Sequence, residues 1–393
     1  MRLRFLVCLF MAPFLFSCAG GYVSNSGNAR RAFSRGQFDK ALTWYQKQEP
    51  LGKDQIRYWL DEATILQAAG RNQESLALFQ KAIDRAEALT GPQVGSKAAS
   101  VITNDNIIPY QGEKFEKLLM HVFQVMNYLA LGEAREALVE VRRIHTKFSD
   151  LQNAFATYLA GLVWEHNGKI NDAYIDYKTT FRIDPELPSL GRSLLNLSQH
   201  LGMKGDYARW KKQFPDASPM KKGDGELILL LEEGFIPEKE STEENYQLQV
   251  VPVPHYPKPV SSVPGTQFTI NGKMGKTYPL YRIDEAAWQT LKDNMPGILT
   301  RAVARVATKE AAAVAVEKKV DEGLGFLLGL LFLSTNRADL RSWLTLPRSL
   351  QVATLPLPEG EYQLKLSWPN GSKTLEAITI KANRKTFLTQ RIF

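Results

Sequence analysis

AGLVWEHNGKINDAYIDYKTTFRIDP, residues 160 to 185, decides the architecture of the first half of this chain. Two apolar-periodic runs flank the polar turn His166-Asn167-Gly168-Lys169, so the stretch predicts a helical hairpin. Each special residue has a physical task. Gly161 lets the paired helices approach closely, and Gly168 turns the chain between them. Ala173 leaves room for the facing helix, Tyr177 fills the space between units, and Pro185 ends the second helix.

The unit recurs. Glycines at 36, 70, 132, 168 and 205 are spaced by 34, 62, 36 and 37 residues, the 62 being one repeat plus an insertion. Five residues after four of them stand Ala41, Ser75, Ala137 and Ala173, and nine after stand Tyr45, Phe79, Val141 and Tyr177. A period near 34 with small and bulky residues at fixed offsets marks a helix-turn-helix solenoid. With Gly161, Trp164, Gly168, Ala173, Tyr177 and Pro185 in place, the unit resembles the tetratricopeptide (TPR) repeat, with Thr180 where that family has alanine. The resemblance spans 25–215, and the unit around Gly205, with Trp210 at the small position, reads as a cap. An insertion at 90–116, with Asn104, Asp105, Asn106, Pro109 and Gly112, reads as an ordered loop. Such arrays form a concave groove. Here Arg57, Leu60, Thr64, Leu119, Val122, Met126, Phe155, Tyr158 and Leu162 would line it, which predicts an apolar-anchored protein segment as the partner; the alternative is that several of them pack internally, against the insertion or the second domain.

After Pro215 the pattern changes. Residues 225–234, 246–254, 266–272 and four C-terminal runs alternate or cluster as strands, with Pro358-Glu359-Gly360 and Pro369-Asn370-Gly371 as turns. A helical pattern starts at Asp284 and leads into the uncharged run LGFLLGLLFL, 324–333. The expectation for 220–393 is therefore an α+β domain, an antiparallel β-sandwich or half-barrel interrupted by a helical insertion at 284–335, behind an all-α TPR-like solenoid.

The chain opens with Arg2 and Arg4, then an uncharged run from Phe5 to Phe16, then Ser17-Cys18. That run is too short to span a bilayer and has the form of a signal peptide. Leu15-Phe16-Ser17-Cys18 resembles the bacterial lipobox, which implies removal of 1–17, lipidation of Cys18 and a tether over 18–24. Ala19 after the cysteine implies the outer membrane by the same resemblance. Cys8 and Cys18 are the two cysteines of the 393 residues, so the mature chain would hold no internal disulfide. The net charge of +8 raises nucleic acid as a partner, but an exported lipid-anchored chain argues against it.

The residues give little chemistry. The five histidines are scattered, no metal or cofactor motif is present, and Ser218-Pro219-Met220-Lys221 lacks the companion elements of a penicillin-interacting site. Arg301, Arg305 and Lys309 form one helical stripe, read as a solvated face paired with Glu310 or Glu317, the alternative being a contact for a lipid headgroup or another anion. In NRADLRSWLTLP, 336 to 347, an Asp339–Arg341 pair would staple a turn over a packed Trp343.

PYQGEKFE (109–116), ALVEVRR (137–143), GFIPEK (234–239), PHYPKP (254–259), ILTRAVAR (298–305) and ADLRSWLTLP (338–347) resemble an uncharacterised family of Gram-negative lipoproteins with repeats and a β-rich region. The resemblance implies a setting similar to that of lipoproteins that activate peptidoglycan synthases and brings no catalytic residues; with the groove of the repeats and no nucleophile–base pair, the expectation is a non-catalytic scaffold on the periplasmic face of the outer membrane. The alternative is a ligand carrier or enzyme with its site near Asp339, Arg341 and Trp343.

Overall fold

The computed structural model describes residues 20–46, 52–90, 106, 108–246, 249–319 and 337–393. The lipobox with Cys18, most of the insertion and the apolar run 324–333 lie outside the described residues.

Helices α1 (Gly20–Ser34), α2 (Phe38–Gln46), α3 (Gln55–Ala68), α4 (Asn72–Ala88), α5 (Lys114–Ala130) and α6 (Ala134–Lys147) pair in order. So do α7 (Ala154–His166), α8 (Ile170–Ile183), α9 (Leu190–His200) and α10 (Lys204–Gln213). The first half is thus a TPR-like array of helix pairs. Helix α1 begins inside the stretch read as a tether. The turn glycines Gly36, Gly70, Gly132, Gly168 and Gly202 take φ between 67° and 77°, where a side chain would be strained. Gly70 N donates to Gln67 O and Arg71 N to Leu66 O, closing the end of α3. The last turn glycine is Gly202 rather than Gly205, which lies inside α10. Two glycines three residues apart made the period ambiguous, and only the positive φ selects between them.

Helix α5 starts at Lys114, inside the span assigned to the insertion, because Glu113 and Glu116 form a reciprocal capping box. At Gly161 a β-carbon would lie 2.6 Å from the Tyr177 ring, so α7 and α8 touch where the sequence predicted close approach.

The second half is rich in sheet: β1 (Gly225–Glu233), β2 (Glu240–Tyr246), β3 (Gln249–His255), β4 (Gln267–Ile270) and β5 (Lys273–Lys276). Then come β6 (Tyr278–Arg282), helix α11 (Ile283–Lys319), β7 (Ser349–Leu357), β8 (Gly360–Trp368), β9 (Gly371–Ile380) and β10 (Lys385–Ile392). One sheet runs β10-β1-β7-β6, a second β5-β4-β8-β9, and β2 and β3 form a hairpin. The β1–β10 pairing is parallel, which corrects the all-antiparallel expectation. More than 150 residues separate these strands, ample for the crossover a parallel pair requires.

Strand β1 explains its own sequence. Ile228 and Leu230 join the core of the repeats, while Leu227, Leu229 and Leu231 face Phe268, Ile270, Leu364 and Leu366 of the second sheet. A strand buried on both faces carries a continuous apolar run rather than alternation. One core cluster runs from Ile56 through the repeats to Trp343, Leu346 and Val352, so both halves share it.

Candidate functional site

The groove is filled by the chain itself. Leu60, Thr64, Leu119, Val122, Met126, Phe155, Tyr158 and Leu162, expected to receive a partner, are each at most 1% exposed. The expectation of an open groove is corrected for a physical reason: the segment from Arg337 to Arg348, a strap between α11 and β7, lies across it, and the first sheet packs beside it.

Trp343 is the anchor, fully buried between the rings of Phe79 and Phe123 at centroid distances of 5.7 and 5.4 Å. Its indole N–H is shared between Thr64 Oγ1 at 3.0 Å and Thr345 Oγ1 at 3.1 Å. Its backbone N–H donates to Glu116 Oε1 at 3.0 Å. Two residues on, the N–H and hydroxyl of Thr345 both donate to Asp61 Oδ1 at 2.9 Å. The strap's alternate backbone donors are thus read by two buried carboxylates of the groove. Further along, Leu346 O accepts from Ile236 N at 3.0 Å.

The Asp339–Arg341 staple is present. Arg341 Nε and Nη2 reach the two Asp339 oxygens at 2.9 and 2.7 Å, and Asp339 Oδ1 also accepts from Arg341 N at 3.0 Å. This pairing holds the Asp339 carboxyl below its usual range despite burial. Arg341 Nη1 also donates to Ile108 O at 2.8 Å, tying the strap to the insertion loop. That loop is fixed in turn by Tyr110 N on Lys53 O at 2.7 Å and by the Tyr110 hydroxyl on Glu116.

Glu116 therefore joins loop, helix and strap. Burial raises its pKa, with Glu113 adding to the rise, although Tyr110, Lys239 and the Glu113 N–H oppose it. Sequence reasoning missed both Asp61 and Glu116. The Glu-x-x-Glu spacing at 113 and 116 was the available signal for one; nothing local marks the other.

Beside the strap lies a cleft of about 760 Å³. Its walls are the loop 108–113, Lys239 ahead of β2, Pro252 and Pro254 of β3, one stripe of α11 and the strap residues Ala338, Asp339 and Arg341. Five of the stretches that carry the lipoprotein resemblance supply these walls. The basic stripe of α11 is not a solvated face: Arg301 is exposed, but Arg305 and Lys309 are buried. The β2–β3 hairpin accounts for this, since Val251 and Val253 pack on Ala302 and its neighbours in α11.

Among the described residues no group of three or more His, Cys, Asp or Glu side chains is placed to hold a metal ion. Among them, too, no helix is long and apolar enough to cross a membrane.

No family model and no curated relative matches the chain. Solved structures similar to it include the crystal structure of MamA, at 14% identity, covering 50% of this chain and 91% of that one, with a TM-score of 0.37. MamA 41-end from Desulfovibrio magneticus RS-1 gives the same identity, coverage of 50% and 93%, and a TM-score of 0.37. MamA AMB-1 is 9% identical over 49% of this chain and 90% of that one, with a TM-score of 0.36.

Proposed function

We propose that this chain is a non-catalytic binding scaffold, held by lipid on Cys18 at the periplasmic face of the outer membrane, that supports assembly of cell-envelope machinery such as peptidoglycan synthases. The supporting observation is the groove with its strap. Asp61, Thr64 and Glu116 read donors of an extended segment while Trp343 fills an aromatic slot, which is the chemistry of peptide binding carried out within one chain. The bound strap makes the repeats and the β-rich half one body, so partners dock on its outer surfaces rather than in the groove. We read the two four-stranded sheets as the faces of a β-sandwich around Leu227, Leu229, Leu231, Leu364 and Leu366.

Crosslinking in intact envelopes, followed by pull-down of the chain, tests this reading. Recovery of a cell-wall synthase or its activator, lost in the Cys18→Ser variant, is the expected result. Recovery of abundant porins alone sinks the scaffold reading, and absence of radiolabelled palmitate from the wild-type chain sinks the anchor. A second reading, a periplasmic ligand carrier, is favoured by the cleft that Asp339 and Arg341 help to line.

A further inference from the structure

A separate cleft, of about 430 Å³, opens where α4 ends and the chain leaves the repeats for the insertion. That volume lies within the about 300–1,000 Å³ usual for small-ligand sites. Its apolar walls are Ile83 and Ala86 of α4, Met120 of α5 and Phe148 just past α6, all buried. Glu87, Thr90 and Lys147 stand at its exposed rim, with Lys117 of α5 beside them. Glu87 and Lys147 pair with each other there.

His121, one helical turn after Lys117, also lines the cleft, although only 2% of it is exposed. Its Nδ1 donates to Glu140 Oε2 at 2.6 Å, and Glu140 Oε1 accepts from Arg143 Nη1 at 2.7 Å. The ring also lies 5.6 Å from the Phe148 ring, centroid to centroid. The imidazole is therefore held in place before any ligand arrives. Nε2, on the far edge of the ring, has no hydrogen-bond partner among the described residues. A buried polar atom is costly to leave unpaired, and the cleft is where a partner for this one would stand.

The chemistry of that partner follows from the ring. Nε2 accepts a hydrogen bond in the neutral imidazole and donates one in the charged form. A hydroxyl group serves both states, whereas an ether or a carboxylate can only accept. Ile83, Ala86, Met120 and Phe148 call for an apolar body behind it.

We propose that this cleft binds a small alcohol or phenol, its hydroxyl on His121 Nε2 and its apolar body against Ile83, Ala86, Met120 and Phe148. The proposal stands on this cleft and not on the scaffold reading, so either can fail alone.

The test titrates the full lipidated chain in non-ionic detergent, at about pH 8, with phenol and with its methyl ether anisole. Isothermal calorimetry follows binding, with the heats from protein-free micelles subtracted. Saturable binding of phenol is expected, at least about tenfold tighter than that of anisole, which has no proton to give Nε2. His121→Phe should abolish that preference, and Thr90→Trp, at the exposed rim, should weaken both probes by closing the mouth. No saturable binding of phenol overturns the proposal and leaves water as the partner of Nε2. So does equal affinity for the two probes in the wild type, a preference that survives in His121→Phe, or unchanged affinity in Thr90→Trp. Benzoate bound more tightly than phenol would assign the cleft to the Lys117 charge and overturn it too. Thermal melts check both variants. Should His121→Phe not fold, the wild-type preference and its response to Thr90→Trp decide the matter.

Discussion

Trp343 carries two kinds of stabilisation that substitution separates. Trp343→Phe keeps an aromatic ring in the slot but removes the N–H shared by Thr64 and Thr345, for an expected loss of about 1–2 kcal/mol. Trp343→Ala also opens a cavity beside Phe79 and Phe123, and about 3–5 kcal/mol is expected. Urea denaturation of both variants checks the order. Glu116 makes a pH prediction. Its folded pKa is raised above 4.5, so the native state holds this proton more tightly than the unfolded chain. Its contribution is fully present below the unfolded value and is lost as pH rises through the folded one. Glu116→Gln removes that dependence, so urea midpoints measured across about pH 4 to 8 should show the wild type losing ground to the variant as pH rises. The local staple of Asp339 on Arg341 was legible because the two stand two residues apart. The roles of Asp61 and Glu116 were not, since their strap partners are 284 and 227 residues away.

Among the elements, the helix pairs were the most legible because each unit is a local pattern of turn glycine, small residue and bulky residue. Gly161→Ala tests that pattern. The added methyl meets the Tyr177 ring, an overpacking cost of about 1–3 kcal/mol that better helix propensity offsets by about 1 kcal/mol. A net loss in the denaturation free energy is expected, and a gain would mean that the close approach is not tight. His145 links α6 to α8 by donating from Nε2 to Asp176 Oδ1 at 3.0 Å, and this contact raises its pKa above 6.5. That stabilisation is present below 6.5 and fades as pH rises through the folded value, so His145→Gln should lose stability at pH 6 relative to wild type more than at pH 8, by about pH-jump unfolding. The strands were legible unevenly. β1 announced itself as an apolar run, whereas β2, with Glu240, Ser241, Glu243, Glu244 and Asn245 exposed, has no buried face to impose alternation. Pro279 hid β6, which pairs with β7 across an irregularity beginning at that residue.

At the scale of the whole molecule, the two ends of the described chain meet. Phe393 packs on Phe33 of α1 and on Phe235 at centroid distances of 4.9 and 5.0 Å. The Arg391 guanidinium sits within 5.4 Å of all three rings and pairs with Glu232 at 3.2 Å. Nearby, Arg30 of α1 pairs with Glu238 and donates to Ile236 O at 2.7 Å. The first helix is thereby clasped by the last strand. Phe393→Ala is expected to speed amide exchange of residues 29–33 while leaving α7 and α8 protected. Unchanged exchange would show that α1 is held by its other contacts, among them Arg30 with Glu238 and Ile236 O, without Phe393. The strap acts on the same scale, because Trp343 brings the β-rich half onto the repeats; in the Trp343→Ala variant, limited proteolysis between the halves should begin at lower urea than in the wild type.

By itself the sequence determined the units: helix pairs, most strands, the Asp339–Arg341 staple and a packed Trp343. These rest on spacings of two to about forty residues, within which side chains must share a face. Only the tertiary structure decided what occupies the groove. An apolar concave wall attracts any complementary segment, and nothing in its periodicity says whether that segment belongs to another chain or lies some 280 residues further along the same one. Burial of Trp343, with Asp61 and Glu116 satisfying the strap's donors, resolved the choice in favour of the chain itself.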